Sequence, residues 1–140
     1  MGRSALKITV DTNVLVRVAV RDDEHQARVA DEILKTAELV VVTMPCLCEF
    51  VWVLGRNYRL DRAKIARAVE LLCGAPNVMT EIPQLEAGLA MLRAGEDFAD
   101  GVIAHEGRWM SGEIFVSFDK KAITALEKHG QKTKLLVSKA

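Results

Sequence analysis

Short, uniformly apolar runs alternate with longer stretches in which apolar residues recur every three or four positions. This alternation holds along the whole chain of 140 residues. The short runs read as buried strands at residues 6–10, 39–43 and 114–118, with weaker candidates at 77–80 and 134–137. The recurring stretches read as helices. One opens after Asp11 with Val14, Leu15 and Val18, and another spans about 23–37 with Ala27, Ala30, Ile33 and Leu34 as its stripe. Pro45 opens a helix running to Tyr58, because proline is accepted in a first turn and no further in. Asp61 caps the next helix, which closes at Gly74. Residues 83–93 form a helix stopped by Gly95, a further helix runs from about Asp97 towards Trp109 and Met110, and one at 121–129 is closed by Gly130. Strands alternating with helices predict an α/β fold, a central, mostly parallel sheet with helices on both faces. No repeat, low-complexity tract or linker interrupts it, so one domain over residues 1–140 is expected.

Composition narrows the class. No run approaches the ~20 apolar residues of a membrane span. The start has no leader pattern, and Met1-Gly2 is followed by Leu6 where a lipidation signal needs Ser or Thr. A cytoplasmic protein with no membrane partner is the expectation. The three cysteines, Cys46, Cys48 and Cys73, are odd in number and lack zinc-ribbon spacing, which leaves them as small buried hydrophobes. With 19 basic and 19 acidic side chains, a nucleic-acid partner would have to be met by a local patch.

The candidate chemistry lies in the acids. In an open parallel sheet a ligand sits beyond the carboxyl ends of the strands, where Asp11 and Asp119 fall. Either residue also suits a helix cap. Thr12 and Asn13 bring short hydrogen-bonding side chains to the Asp11 turn, as ordinary turn formers or as supports for a carboxylate. Glu49 sits among Phe50, Trp52 and Val53 and reads as a buried carboxylate, which needs a partner such as Arg56 or a cation. Asp97 and Asp100 share one side of a helix; Asp97 reads as its cap with an accessory role, and Asp100 as the better ligand. Ser117 faces the same way as Asp119 on an extended strand and is an orienting group for it. Hard oxygen donors without His or Cys point to magnesium or manganese. Such an ion joins carboxylates to phosphate oxygens and activates water, which makes metal-dependent phosphodiester hydrolysis the expected reaction.

Four stretches carry a resemblance: Val10-Asp11-Thr12-Asn13-Val14-Leu15, Glu49 within residues 45–54, Asp97-Phe98-Ala99-Asp100-Gly101-Val102-Ile103-Ala104, and Val116-Ser117-Phe118-Asp119-Lys120-Lys121. In this order the chain resembles the PIN-domain ribonucleases, in particular the toxin components of VapBC-type toxin–antitoxin pairs, over nearly its whole length. The resemblance implies a three-layer α/β/α sandwich and a magnesium- or manganese-dependent endoribonuclease. It also implies a cognate VapB-like antitoxin and a homodimer. The acidic tetrad of the family falls on Asp11, Glu49, Asp100 and Asp119 as catalytic and metal-binding residues, with Asp97 as an extra acid. Ser117 stands where Thr is more usual, and the cysteines around Glu49 are outside the family pattern.

Lys120 and Lys121 are the candidates for RNA contact by position. Arg56, Arg59, Arg62, Lys64 and Arg67 form the densest basic cluster, to be read as an RNA track, a solvated face or a dimer rim. Trp52 and Trp109 read as core or interface anchors rather than base-stacking platforms, and none of His25, His105 and His129 is assigned as general base. Competing readings are a haloacid-dehalogenase-like phosphatase, which wants an acid where Asn13 stands, a receiver domain, which has no use for Glu49, and a catalytically silent RNA-binding scaffold, which would be expected to lack acids.

Overall fold

A computed structural model describes residues 5–138; Met1 and Gly2, discussed above for lipidation, lie outside the described residues. The chain divides into two compact units, residues 1–81 and 82–140.

The first unit is built on strands β1 (Lys7–Thr9), β2 (Leu39–Val41) and β3 (Val78–Met79), parallel and hydrogen-bonded in that order. The register pairs Ile8 with Val40 and Val40 with Val78. β2 is therefore the inner strand, and its Val40 is fully buried. Parallel neighbours need crossovers. Helices α1 (Thr12–Val20) and α2 (Glu24–Thr36) make the first, and α3 (Met44–Arg56) and α4 (Arg62–Cys73) the second. Each start has a local cause. Asp11, Asp23, Thr43 and Asp61 place side-chain oxygens on the otherwise unpaired N–H groups of the first turns. α3 begins at Met44, one residue before the expected Pro45, because Thr43 is the cap. Its Met44, Leu47, Phe50, Val51 and Leu54 form a single buried stripe.

The second unit pairs helices α5 (Ile82–Arg93) and α6 (Phe98–Trp109), followed by strand β4 (Phe115–Ser117), helix α7 (Lys120–Lys128) and strand β5 (Thr133–Leu135). β4 and β5 are parallel, with Val116 opposite Lys134. Gly95, at φ +88°, closes the turn after α5 in a conformation that suits glycine. α5 and α6 approach so closely that a methyl group at Gly88 would come within 2.6 Å of the Phe98 ring, and one at Gly101 would strike the Ala87 carbonyl. Met91, Ala104, Ala125 and Leu126 form a core here, with Phe115 against it.

The class is α/β with all strand pairs parallel, as expected. The hydrogen-bonded ladder falls into a three-stranded and a two-stranded sheet where one central sheet was expected. Two further expectations are corrected. Trp52 and Trp109 are no part of the core, with 56% and 85% of their surfaces exposed. Glu49 is exposed rather than buried, because the apolar stripe of α3 turns inward and leaves it on the opposite side.

Candidate active site

In the first unit, β1 and β2 run parallel side by side, so their carboxyl ends emerge together. Asp11 leaves the end of β1, and Thr43 leaves the end of β2 to start α3. That places the first turn of α1 against the second turn of α3. Asp11 is exposed and caps α1 by accepting the Thr12 backbone N–H at 2.8 Å. Thr12 is buried, and its hydroxyl donates to Glu49 Oε1. The same hydroxyl lies 3.7 Å from the Cys46 sulfur. One hydroxyl has one proton, and the carboxylate is the stronger acceptor, so the Cys46 thiol completes the chain by donating to Thr12 Oγ1. Burial pushes the Cys46 thiol up, against an opposing pull from the Thr12 hydroxyl and with Asp11 and Glu49 adding to the rise. Asp11, Thr12, Cys46 and Glu49 thus form one connected group. Arg56 lies over the Trp52 ring, 5.9 Å from its centroid. Asn13 is exposed in the first turn of α1.

In the second unit, Asp97 caps α6 through the Ala99 N–H at 3.1 Å, and Asp100 stands one turn in, its own N–H on the Asp97 carbonyl at 3.1 Å. Asp119 caps α7, accepting from Lys121 N at 3.0 Å and Ala122 N at 3.3 Å. The Ser117 hydroxyl accepts the Asp119 backbone N–H at 2.9 Å. Lys120 and Lys121 are exposed at the start of α7. Asp100 is half-buried, and its carboxyl is pushed up to about 6, first by burial and then by the charges of Asp97, Asp119 and Glu96. The acids of this unit therefore crowd one another.

Cys46 and Glu96 were not singled out for this site in the sequence. Glu96 carried a signal, an acid directly before Asp97. Cys46 carried only its place three residues before Glu49, which does not reveal a contact across 34 positions. All three cysteines are free thiols. Burial pushes the Cys73 thiol up to about 11, as suits a small hydrophobe. Among the described residues no group of three or more His, Cys, Asp or Glu side chains is arranged to hold a metal ion. The acids of each unit taken by itself nevertheless offer the carboxylate oxygens that a hard cation takes.

Parallel strands whose carboxyl ends release acids into helix N-termini define the general class, an α/β protein with an acidic site. A model of the PIN domain family matches residues 8–127, a span that runs through both units and takes in every acid named above. The chain belongs to the PIN domain family. Members of that family are generally nucleases and typically use divalent metal ions. No curated protein matches the chain. Among the described residues no helix is long and apolar enough to cross a membrane.

Proposed function

We propose that this protein is a magnesium- or manganese-dependent endoribonuclease, the toxin of a type II toxin–antitoxin pair. Asp11, Glu49, Asp100 and Asp119 are its catalytic acids, and residues 1–140 act as one domain. The observation that carries the reading is the setting of Asp100, a half-buried carboxyl pushed up to about 6 first by burial and then by the charges of Asp97, Asp119 and Glu96. Such crowding is unfavourable in the free protein and is relieved by a cation. Asp11 and Glu49 of the first unit and Asp100 and Asp119 of the second are the residues offered as metal ligands, with Asp97 as an accessory. When bound, the ion supplies an activated water and stabilises the leaving oxygen of the phosphodiester.

The chain's own residues prepare the site. Thr12 fixes the rotamer of Glu49 from behind while its backbone N–H holds Asp11. Ser117 fixes the turn that presents Asp119. Asn13 is free to meet a ligand from the Asp11 turn, and Lys120 and Lys121 are placed to take phosphate oxygens of RNA. The cognate antitoxin, a separate VapB-like chain, would silence the enzyme. A homodimer is the proposed assembly, supported by the exposed Trp109 and Met110 at the end of α6. The three free thiols fit a reducing cytoplasm.

The test is cleavage of mixed cellular RNA by the purified, antitoxin-free chain with magnesium, with manganese and with chelator. Cutting that needs metal and disappears in Asp11→Asn and Asp100→Asn is the expected result. A folded chain that neither cuts nor binds either metal would instead be a silent scaffold.

A further inference from the structure

The exposed face of α3 continues beyond Glu49. Glu49, Trp52 and Arg56 stand at i, i+3 and i+7, so they share one ridge of the helix and rise ~10 Å along it. All three are exposed. Trp52 leaves 56% of its surface open, although it is among the largest apolar side chains of the unit. Its neighbours do not bury it. Instead the Arg56 guanidinium lies over its ring at 5.9 Å, a cation–π contact that fixes the indole's orientation while leaving it accessible. Beyond Arg56 the chain holds Arg59, Arg62, Lys64 and Arg67 against the single acid Asp61 up to position 67, and Asp61 is occupied in capping α4. In a chain with no net charge this is a strong local excess.

We infer that Trp52 is a base-stacking platform for single-stranded RNA, flanked by Arg56 as a backbone contact, and that it seats the nucleotide next to the one held at Glu49. The inference rests on the ribonuclease reading and adds to it the residue that grips the strand. An indole offers a face to any base, and adjacent guanidinium groups track the phosphates, the pairing by which proteins hold single strands without reading sequence. A second copy of this chain suits the ridge poorly. A two-fold contact centred on Trp52 would set Arg56 and its basic neighbours against themselves.

The experiment uses the full chain with Trp109→Phe, so that emission reports Trp52 alone, and with Asp100→Asn so that a short mixed-sequence single-stranded RNA remains uncut. Titration with this RNA is expected to quench the indole. Trp52→Ala should weaken binding about tenfold by anisotropy, the size of one stacked base, and Trp52→Phe should restore most of it. In the chain with Asp100 intact, Trp52→Ala should raise KM and leave kcat nearly unchanged. RNA binding with unmoved emission overturns the inference. So does a Trp52→Ala chain that binds RNA normally but becomes monomeric by light scattering, since the ridge would then belong to a second copy. Absence of metal-dependent cleavage by the wild-type chain would sink the ribonuclease reading alone, because quenching and its loss in Trp52→Ala are read without turnover.

Discussion

Replacing Asp100 by Asn should make the metal-free protein more stable at neutral pH. The carboxyl titrates at about 6 in the folded chain against an ordinary value of 3.8. The folded state therefore binds more protons than the unfolded state between those values. Stability is highest below pH 3.8 as far as this group is concerned, falls as pH rises through about 6, and is lowest above it. A displacement of that size corresponds to at most about 3 kcal/mol. Water screens the exposed Asp97 and Asp119, and about 1–2 kcal/mol is the expected gain for Asp100→Asn at pH 7.5. Urea denaturation in chelator, at pH 7.5 and again at pH 4.5, measures it. The advantage of the variant should shrink at the lower pH, where the wild-type carboxyl is already protonated. Added magnesium or manganese should stabilise the wild type and not the variant. An Asn variant less stable than wild type at pH 7.5, or one whose advantage is the same at both pH values, would refute the account of Asp100 as a carboxyl raised by burial and by its acidic neighbours.

Two further outcomes follow from the same geometry. Thr12→Val keeps the shape of the buried side chain but leaves the Cys46 thiol and Glu49 without their shared hydroxyl. It should cost about 1–2 kcal/mol and a large part of the cleavage rate, while Thr12→Ser keeps both, as urea denaturation and RNA cleavage would show. Asp119→Ala should lose both the α7 cap, about 1 kcal/mol, and cleavage, whereas Asp119→Asn should keep the cap and lose cleavage only, which thermal melts beside the activity assay would separate.

Helix boundaries were legible because they depend on neighbours in sequence. Asp61 and Gly74 bracket α4, and Asp97 opens α6, where their local chemistry places them. The state of Glu49 was not legible. Residues 45–54 are so apolar that the helix reads as buried all round, yet the core takes only one stripe and leaves Trp52 and Glu49 outside. Nor could the local pattern reveal that β4 pairs with β5 apart from the first three strands, since pairing order depends on how crossovers pack. Asp11 and Asp119 stood out because each follows an apolar strand, and Glu49 because it interrupts an apolar helix. Their supports, above all the Thr12 link to Cys46 and Glu49, exist only once distant segments meet.

Three of the acids, Asp11, Asp97 and Asp119, hold the first turn of a helix with the same carboxylate that is offered to a ligand, whereas Glu49 caps nothing. Mutation therefore meets two different regimes among these acids. A descendant released from its activity would still be confined at positions 11, 97 and 119 to Asn, Ser or Thr, which can accept the same N–H groups. Position 49 is tied to the fold only through the Thr12 hydroxyl and would drift more freely. In gene copies that have fallen silent, the loss of function should be written first at position 49, with the helix caps persisting as its relics.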